Sequence, residues 1–220
     1  MEIYQIAIDG PSGSGKSTLA KGVAKKLGIM YLDTGAMYRT CALASILENV
    51  SPKDEVAVAA LLSKTKIEVI FEESVQHMLI NGIDYTDKIR TPEVSIAASD
   101  ISALPIVREK MVEMQRQIAS NQTFVLDGRD IGSNVLPNAK YKFFLTADAR
   151  KRAERRLLEL NSKGDYSQSL EEVLADIEYR DKQDSERSNA PLVQVADAIG
   201  IDTSNISIEQ TLEALLSHLN

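Results

Sequence analysis

The stretch Gly10-Pro-Ser-Gly-Ser-Gly15-Lys16-Ser17 constrains the fold of this chain more than any other segment. Before it, Ile3, Ile6 and Ile8, with Tyr4 and Ala7 between them, form a short run that is apolar on both faces, the mark of a buried parallel strand. After it, Leu19, Val23, Ala24 and Leu27 fall at helical spacing with Lys21, Lys25 and Lys26 opposite, and Gly28 supplies a stop. Strand, glycine-rich turn and helix in this order, with the spacing G-x-x-x-x-G-K-[ST], build a cradle for a polyphosphate. The glycines let backbone N–H groups turn inward, the helix adds its positive end, and the lysine reaches the outer phosphates. Gly10, Pro11, Ser12, Gly13, Ser14, Gly15, Lys16, Ser17 and Thr18 are therefore the candidate donor-binding residues. The Ser17 hydroxyl is the candidate ligand for Mg²⁺.

The rest of the chain alternates in the same way, which predicts an α/β fold with a parallel sheet flanked by helices. Met30 to Leu32 predicts a second strand, followed by Asp33-Thr34-Gly35 and a helix through Met37, Cys41, Leu43, Ala44 and Leu47. Ser51-Pro52 predicts the start of another helix, ending near Ser63. Residues 66–90 change character. Ile67 to Phe71 and Gln76 to Ile80 are β-rich, and Asn81-Gly82 before Ile83-Asp84-Tyr85 signals a hairpin, so this segment reads as a small antiparallel insertion. Helical periodicity returns over Pro105 to Ala119. Phe124 to Asp127 and Tyr141 to Leu145 predict two more buried strands. A basic helix from Ala149 to about Leu160, a loop at Lys163-Gly164-Asp165, a charged helix from Ser169 to about Asp184, a strand at Ala198 to Ile201 and a helix from Ser207 to Leu219 complete the reading. At 220 residues, 44% of them hydrophobic, the chain is long enough for one domain with its own core.

A net charge of −7 supplies no general electrostatic track for nucleic acid or an anionic membrane, so an anionic substrate must meet a local basic cluster. Cys41 is the only cysteine, which excludes an intramolecular disulfide and fits a cytoplasmic chain. Met1-Glu2 lacks the basic start of a signal peptide, and no apolar stretch reaches the ~18 residues of a membrane span. A guanine-reading Asn-Lys-x-Asp is absent, since no asparagine precedes a lysine, which argues against a GTPase.

Three further clusters carry chemistry. Asp127-Gly128-Arg129-Asp130 sits at the carboxyl end of a predicted buried strand, where open α/β sheets bind ligands. Its arginine can hold a phosphate bidentately and its carboxylate can accept from an amino group, against the plainer reading of a strand-end turn with an ion pair. Arg150, Lys151, Arg152, Arg155 and Arg156 reverse the local sign of an acidic chain, as a lid over transferring phosphates requires, although a solvated helix face also fits. Arg180, Asp184 and Arg187, spaced i, i+4, i+7, share a face if their helix continues that far. His77 and His218 stand alone, and Cys41 lies among apolar helix positions as a core residue.

Taken together, these segments resemble the bacterial cytidylate (CMP/dCMP) kinases, P-loop nucleoside monophosphate kinases. The resemblance rests on IDGPSGSGKST at 8–18, YLDTGAMYR at 31–39, IRTPEVSIAAS at 89–99, LDGRDIGS at 126–133, RAERR at 152–156 and the RD…R…APL stretch at 180–192. It implies transfer of the γ-phosphoryl of ATP, with Mg²⁺, to CMP or dCMP by a monomeric cytoplasmic enzyme of one domain, with a nucleotide-binding insertion at about 35–105 and a lid at about 150–190. It implies that Thr34, Arg39, Arg129 and Arg187 hold the acceptor phosphate, that Ser99, Arg108 and Asp130 read cytosine, and that Arg180 and Asp184 reach the sugar. Lys16, Arg129, Arg152, Arg155 and Arg187 become the catalytic set. Residues 181–186 read DKQDSE, more acidic than the resemblance implies. The alternatives are another small-molecule P-loop kinase and a nucleotide-binding regulator without phosphoryl transfer.

Overall fold

Strand β1 (Gln5–Asp9) is the middle of the main sheet, and its apolar run on both faces is the reason: Ile6, Ala7 and Ile8 are fully buried. In the computed structural model, which describes residues 3–162 and 164–219, the turn after β1 leads into α1 (Lys16–Leu27), β2 (Met30–Asp33) and α2 (Thr34–Leu47). Met1, Glu2, Asn220 and Lys163, the last in the expected loop after the basic helix, lie outside the described residues. There follow α3 (Glu55–Lys64), β3 (Ile67–Glu72), β4 (Val75–Ile80), β5 (Ile83–Asp84), α4 (Pro92–Ile101), α5 (Pro105–Ala119) and β6 (Phe124–Gly128). A π-helical turn at Ile131–Val135 precedes β7 (Tyr141–Thr146), α6 (Ala149–Ser162), α7 (Leu170–Glu186), β8 (Ile199–Asp202) and α8 (Ile208–Ser217).

The main sheet runs β2-β6-β1-β7-β8 and every neighbouring pair is parallel. Alternate side chains of β1 feed opposite layers. Ile6 and Ile8 pack with Leu19 and Val23 of α1 and Leu215 of α8, whereas Ala7 faces the layer of α2, α3, α4 and α5. The register places Asp9 beside Gly128 and Asp33 beside Asp127, so the carboxyl ends of β1, β6 and β2 form one ledge. The P-loop and the 127–130 segment both start from that ledge.

The small sheet, β3-β4-β5, is antiparallel, as the hairpin signal predicts. Asn81 and Gly82 both take left-handed φ values, 51° and 80°. The β3–β4 turn does the same with Glu73 and Ser74, at 49° and 66°, residues that carry no glycine or asparagine signal. Phe71 of β3 meets Phe124 of β6 with ring centroids 5.7 Å apart, which welds the small sheet to the main core.

Two boundaries differ from expectation. Ser51-Pro52 does not start a helix: the Ser51 hydroxyl accepts from Lys53 N–H in a local turn, and the Asp54 carboxylate, accepting from Ala57 N–H at 3.0 Å, caps α3 instead. Asp33 likewise caps α2, so Thr34 and Gly35 belong to the helix. Helix α4, absent from the sequence reading, is started by Thr91 and Pro92. No helix among the described residues is long and apolar enough to cross a membrane.

Phe124 is buried between the two sheets, so Phe124→Ala lowers stability by about 3–5 kcal/mol, visible as a drop in the urea midpoint at unchanged m.

Candidate active site

The P-loop departs from β1 so close to β7 that a side chain at residue 10 has no room: a Cβ on Gly10, at φ 146°, would lie 2.1 Å from the Leu145 carbonyl oxygen. Gly13 and Gly15 hold φ 76° and 92°, and Gly15 caps α1, aiming its N-terminus across the loop. Lys16 is buried, with Nζ donating to Pro11 O at 2.6 Å. Burial, then Arg129 beside it, lowers its pKa to about 7. Ser17 Oγ donates to Asp127 Oδ2 at 2.8 Å, and Tyr31 OH donates to the other carboxylate oxygen at 2.7 Å. Burial, and then the charge of Asp33, pushes Asp127 above the usual carboxylate range. A hydroxyl and a buried carboxylate side by side are the hard oxygen donors that suit Mg²⁺. Among the described residues no three His, Cys, Asp or Glu side chains gather to hold a metal by themselves.

Asp9, the last residue of β1, accepts from Ile131 and Gly132 N–H at 2.8 and 2.7 Å. It ties the end of the donor strand to the turn that carries Asp130. Burial raises its pKa to about 6.

Beside the P-loop lies a cleft of about 150 Å³ whose wall includes all nine residues expected for the acceptor: Thr34, Arg39, Ser99, Arg108, Arg129, Asp130, Arg180, Asp184 and Arg187. They come from α2, α4, α5, the β6 end and α7, and aspartates hold the arginines in place. Arg108 and Arg187 both donate to Asp130, and Arg129 Nε donates to Asp184 Oδ2 at 2.6 Å. Arg39 donates to both oxygens of Asp33. Burial alone would raise Asp33, but Arg39 and Arg90 outweigh it and hold it at about 2. Asp184 is likewise lowered against its burial by Arg129 and Arg187, and burial drops Arg180 to about 10. Helix α7 does continue far enough to carry Arg180 and Asp184 inward, and Arg187 is its C-cap.

Three polar atoms on this cleft are buried without a partner: Tyr38 OH, Arg39 Nε and Arg108 Nε. Unmet donors at one spot are the signature of a site built for a polar ligand. Tyr38, whose ring lies 5.8 Å from the Arg108 guanidinium carbon, is a site residue the sequence reading missed, although it stands one helical turn after Thr34.

Above the P-loop a second cavity, of about 780 Å³, is bounded by Arg155 and Arg156 of α6 and by Thr203, Ile206 and Ile208. Arg155 donates to the Thr203 carbonyl and, at 3.1 Å, to its hydroxyl. Arg152 is placed differently. Its donors go to Ala147 O at 2.8 Å, Ser12 O at 3.0 Å and Asp181 Oδ2 at 2.6 Å, so it braces the P-loop against α7. Asp181 and Asp184 thereby account for the acidic 181–186 run: its carboxylates partner arginines. Cys41 is buried, with its thiol pushed up to about 12, and His77 pairs with Asp84 in the hairpin.

A family model described as cytidylate kinase matches residues 6–220. The chain belongs to the cytidylate kinase family. A cytidylate kinase from Caldicellulosiruptor bescii is 46% identical over 216 residues, covering 98% of this chain and 95% of its own length. One from Halalkalibacterium halodurans is 47% identical over 219 residues, covering 100% and 98%. Among solved structures, a gluconokinase from Sinorhizobium meliloti 1021 superposes with a TM-score of 0.50 at 12% identity, over 97% of this chain and 90% of its own, a likeness of fold alone. In this member of the family a glycine-rich loop faces an arginine-lined cleft.

With Lys16 near 7, affinity for a nucleoside triphosphate weakens as pH rises through that value, by up to about tenfold per pH unit, because binding requires the ammonium. Calorimetry with a non-hydrolysable triphosphate between pH 6.5 and 9 measures the slope, and Lys16→Arg flattens it.

Proposed function

We propose that this chain transfers the γ-phosphoryl group of ATP to CMP or dCMP, giving ADP and CDP or dCDP. The observation that carries this reading is the overlap of the two cavities: Ser12, Gly13, Lys16, Ser17, Arg39 and Arg180 line both. Two polyanions entering from either side meet over Lys16.

The acceptor phosphate has a second pKa near ~6 and is largely ionised at neutral pH, so the attacking oxygen needs no general base. The chain's task is to align two anions that repel each other and to neutralise the charge that spreads over the transferred group. Lys16 serves the donor phosphates. Thr34, Arg39, Arg129 and Arg187 take the acceptor phosphate, with Arg180 and Asp184 toward the sugar. Ser17 and Asp127 would hold Mg²⁺, which would neutralise charge on the donor phosphates. Arg155, at the mouth of the larger cavity, faces the donor nucleotide, and Arg152 acts as a positioning residue that fixes the Ser12 carbonyl.

Base selection follows from Asp130. Cytosine offers an amino donor beside ring acceptors, and a carboxylate fixed by Arg108 and Arg187 accepts from that amino group. Uracil presents an oxygen at the same place and meets the carboxylate with repulsion.

A cleft of about 150 Å³ is small against the ~300–1,000 Å³ of ordinary ligand sites. The insertion at about 35–105 and the lid at about 150–190 therefore move to admit CMP and close to exclude water from ATP. A single buried cysteine suits the cytoplasm.

A coupled ADP-release assay with ATP·Mg²⁺ and CMP, dCMP, UMP, AMP, GMP or shikimate tests the assignment. Strong selectivity for CMP and dCMP is expected, and ATP binding without use of any acceptor would overturn it. Lys16→Ala lowers kcat by about 10²–10³ in the same assay. Asp130→Ala lowers the ratio of kcat/KM for CMP over UMP, with a urea melt run alongside because Arg108 loses its buried partner. An unchanged ratio would remove Asp130 from base recognition.

A further inference from the structure

Asp33 is a puzzle for a site that binds anions, because its carboxylate lines the acceptor cleft where a phosphate is to sit. Bare, it would repel that phosphate. It is not bare. Oδ1 accepts from Ala36 N–H at 2.8 Å and from Arg39 at 3.2 Å, and Oδ2 accepts from Arg39 at 3.0 Å and from Arg90 at 2.6 Å. The bonds to Arg39 use only Nη2, and Nε is left buried and unpartnered on the cleft. The carboxylate thus grips one corner of the guanidinium and leaves another to be claimed by ligand.

The backbone of Asp33 is gripped in turn by the small sheet. Gln76 of β4 accepts from Asp33 N–H with Oε1 at 2.7 Å and donates from Nε2 to Asp33 O at 3.2 Å, so one side chain bonds both main-chain groups as a neighbouring strand would. Arg90, just after that sheet, is the second grip. Gln76 is absent from the walls of both cavities, whereas Arg90 lines the larger one. Everything that fixes Arg39 from behind therefore passes through Asp33, and half of it originates in the insertion.

We infer that Asp33 is a positioning residue for the acceptor phosphate, and that the small sheet sets acceptor affinity through Gln76, which lines neither cavity. This rests on the reading of Arg39 as an acceptor-phosphate ligand. The effect is specific to the phosphate end, since Asp130 at the cytosine end is held by Arg108, which makes no bond to Asp33.

Steady-state kinetics on Asp33→Asn, Gln76→Ala and Arg39→Ala, with CMP and ATP varied separately, test it, together with inhibition by cytidine, which has the base and sugar but no phosphate. The Asp33→Asn side chain keeps an oxygen to cap α2. Gln76→Ala removes only a partly exposed amide, so it preserves the test if Asp33→Asn folds poorly. Gln76→Ala and Asp33→Asn are expected to raise KM for CMP by about tenfold, with the larger part of the loss in KM rather than kcat. For Gln76→Ala, which leaves the Asp33 charge in place, KM for ATP and the cytidine inhibition constant are expected to stay within about twofold. If Arg39→Ala raises KM for CMP while both other variants leave it in place, or shift ATP and cytidine equally, the positioning role is wrong. If Arg39→Ala itself leaves KM for CMP unchanged, the acceptor-phosphate reading fails first and takes this inference with it.

Discussion

A buried guanidinium is costly unless oxygen acceptors receive it, carboxylates best of all, and the architecture around the cleft is organised by that requirement. Arg39 is held by Asp33, Arg108 by Asp130, Arg129 by Asp184 and Arg152 by Asp181, while Arg187 lies between Asp130 and Asp184. Without these partners, several cations within one small cleft would repel each other and bear the full cost of leaving water. With them, the cluster is assembled before any phosphate arrives. An acidic chain, at net −7, can thus hold an arginine-rich cleft, because four aspartates brace five arginines in and beside it while the acidic excess lies elsewhere.

Such struts impose a trade. Each carboxylate satisfies part of an arginine and leaves other donors unmet, as at Arg39 Nε and Arg108 Nε. Completing those bonds with protein atoms would stabilise the fold and fill the cleft. Their remaining open is the kind of local deficit that functional sites carry against stability. Asp9 adds a different constraint: by receiving two N–H groups of the π-helical turn, it makes the position of Asp130 depend on the end of the strand that launches the P-loop.

The sequence was most readable where local rules dictate the backbone. The β1, P-loop and α1 unit follows from glycines with no steric alternative and a strand apolar on both faces, and the Asn81-Gly82 hairpin follows from its φ requirement. The Glu73-Ser74 turn was not readable, because strand pairing forces left-handed φ on residues without that preference. Helix α4 hides behind Val94, Ser95 and Ile96, poor helix formers, although its Thr91-Pro92 start is plain. The arginines of the cleft could be singled out by motif, but their partners could not. Arg90 and Asp33 stand 57 residues apart, and Arg152 and Asp181 stand 29 apart, separations that carry no periodic signal.

The brace made by Arg152 has an implication for how this protein can be rebuilt. Its guanidinium joins the Ser12 carbonyl of the P-loop to Asp181 of α7, so α6, α7 and the P-loop are not interchangeable parts. A chimera that imports α6 from a relative while keeping the native α7, or the reverse, separates the two halves of that brace unless both arginine and aspartate are retained. In recombination between homologues, crossover points between residues 152 and 181 would be tolerated only where this pair is preserved, which makes α6 and α7 a single unit of inheritance.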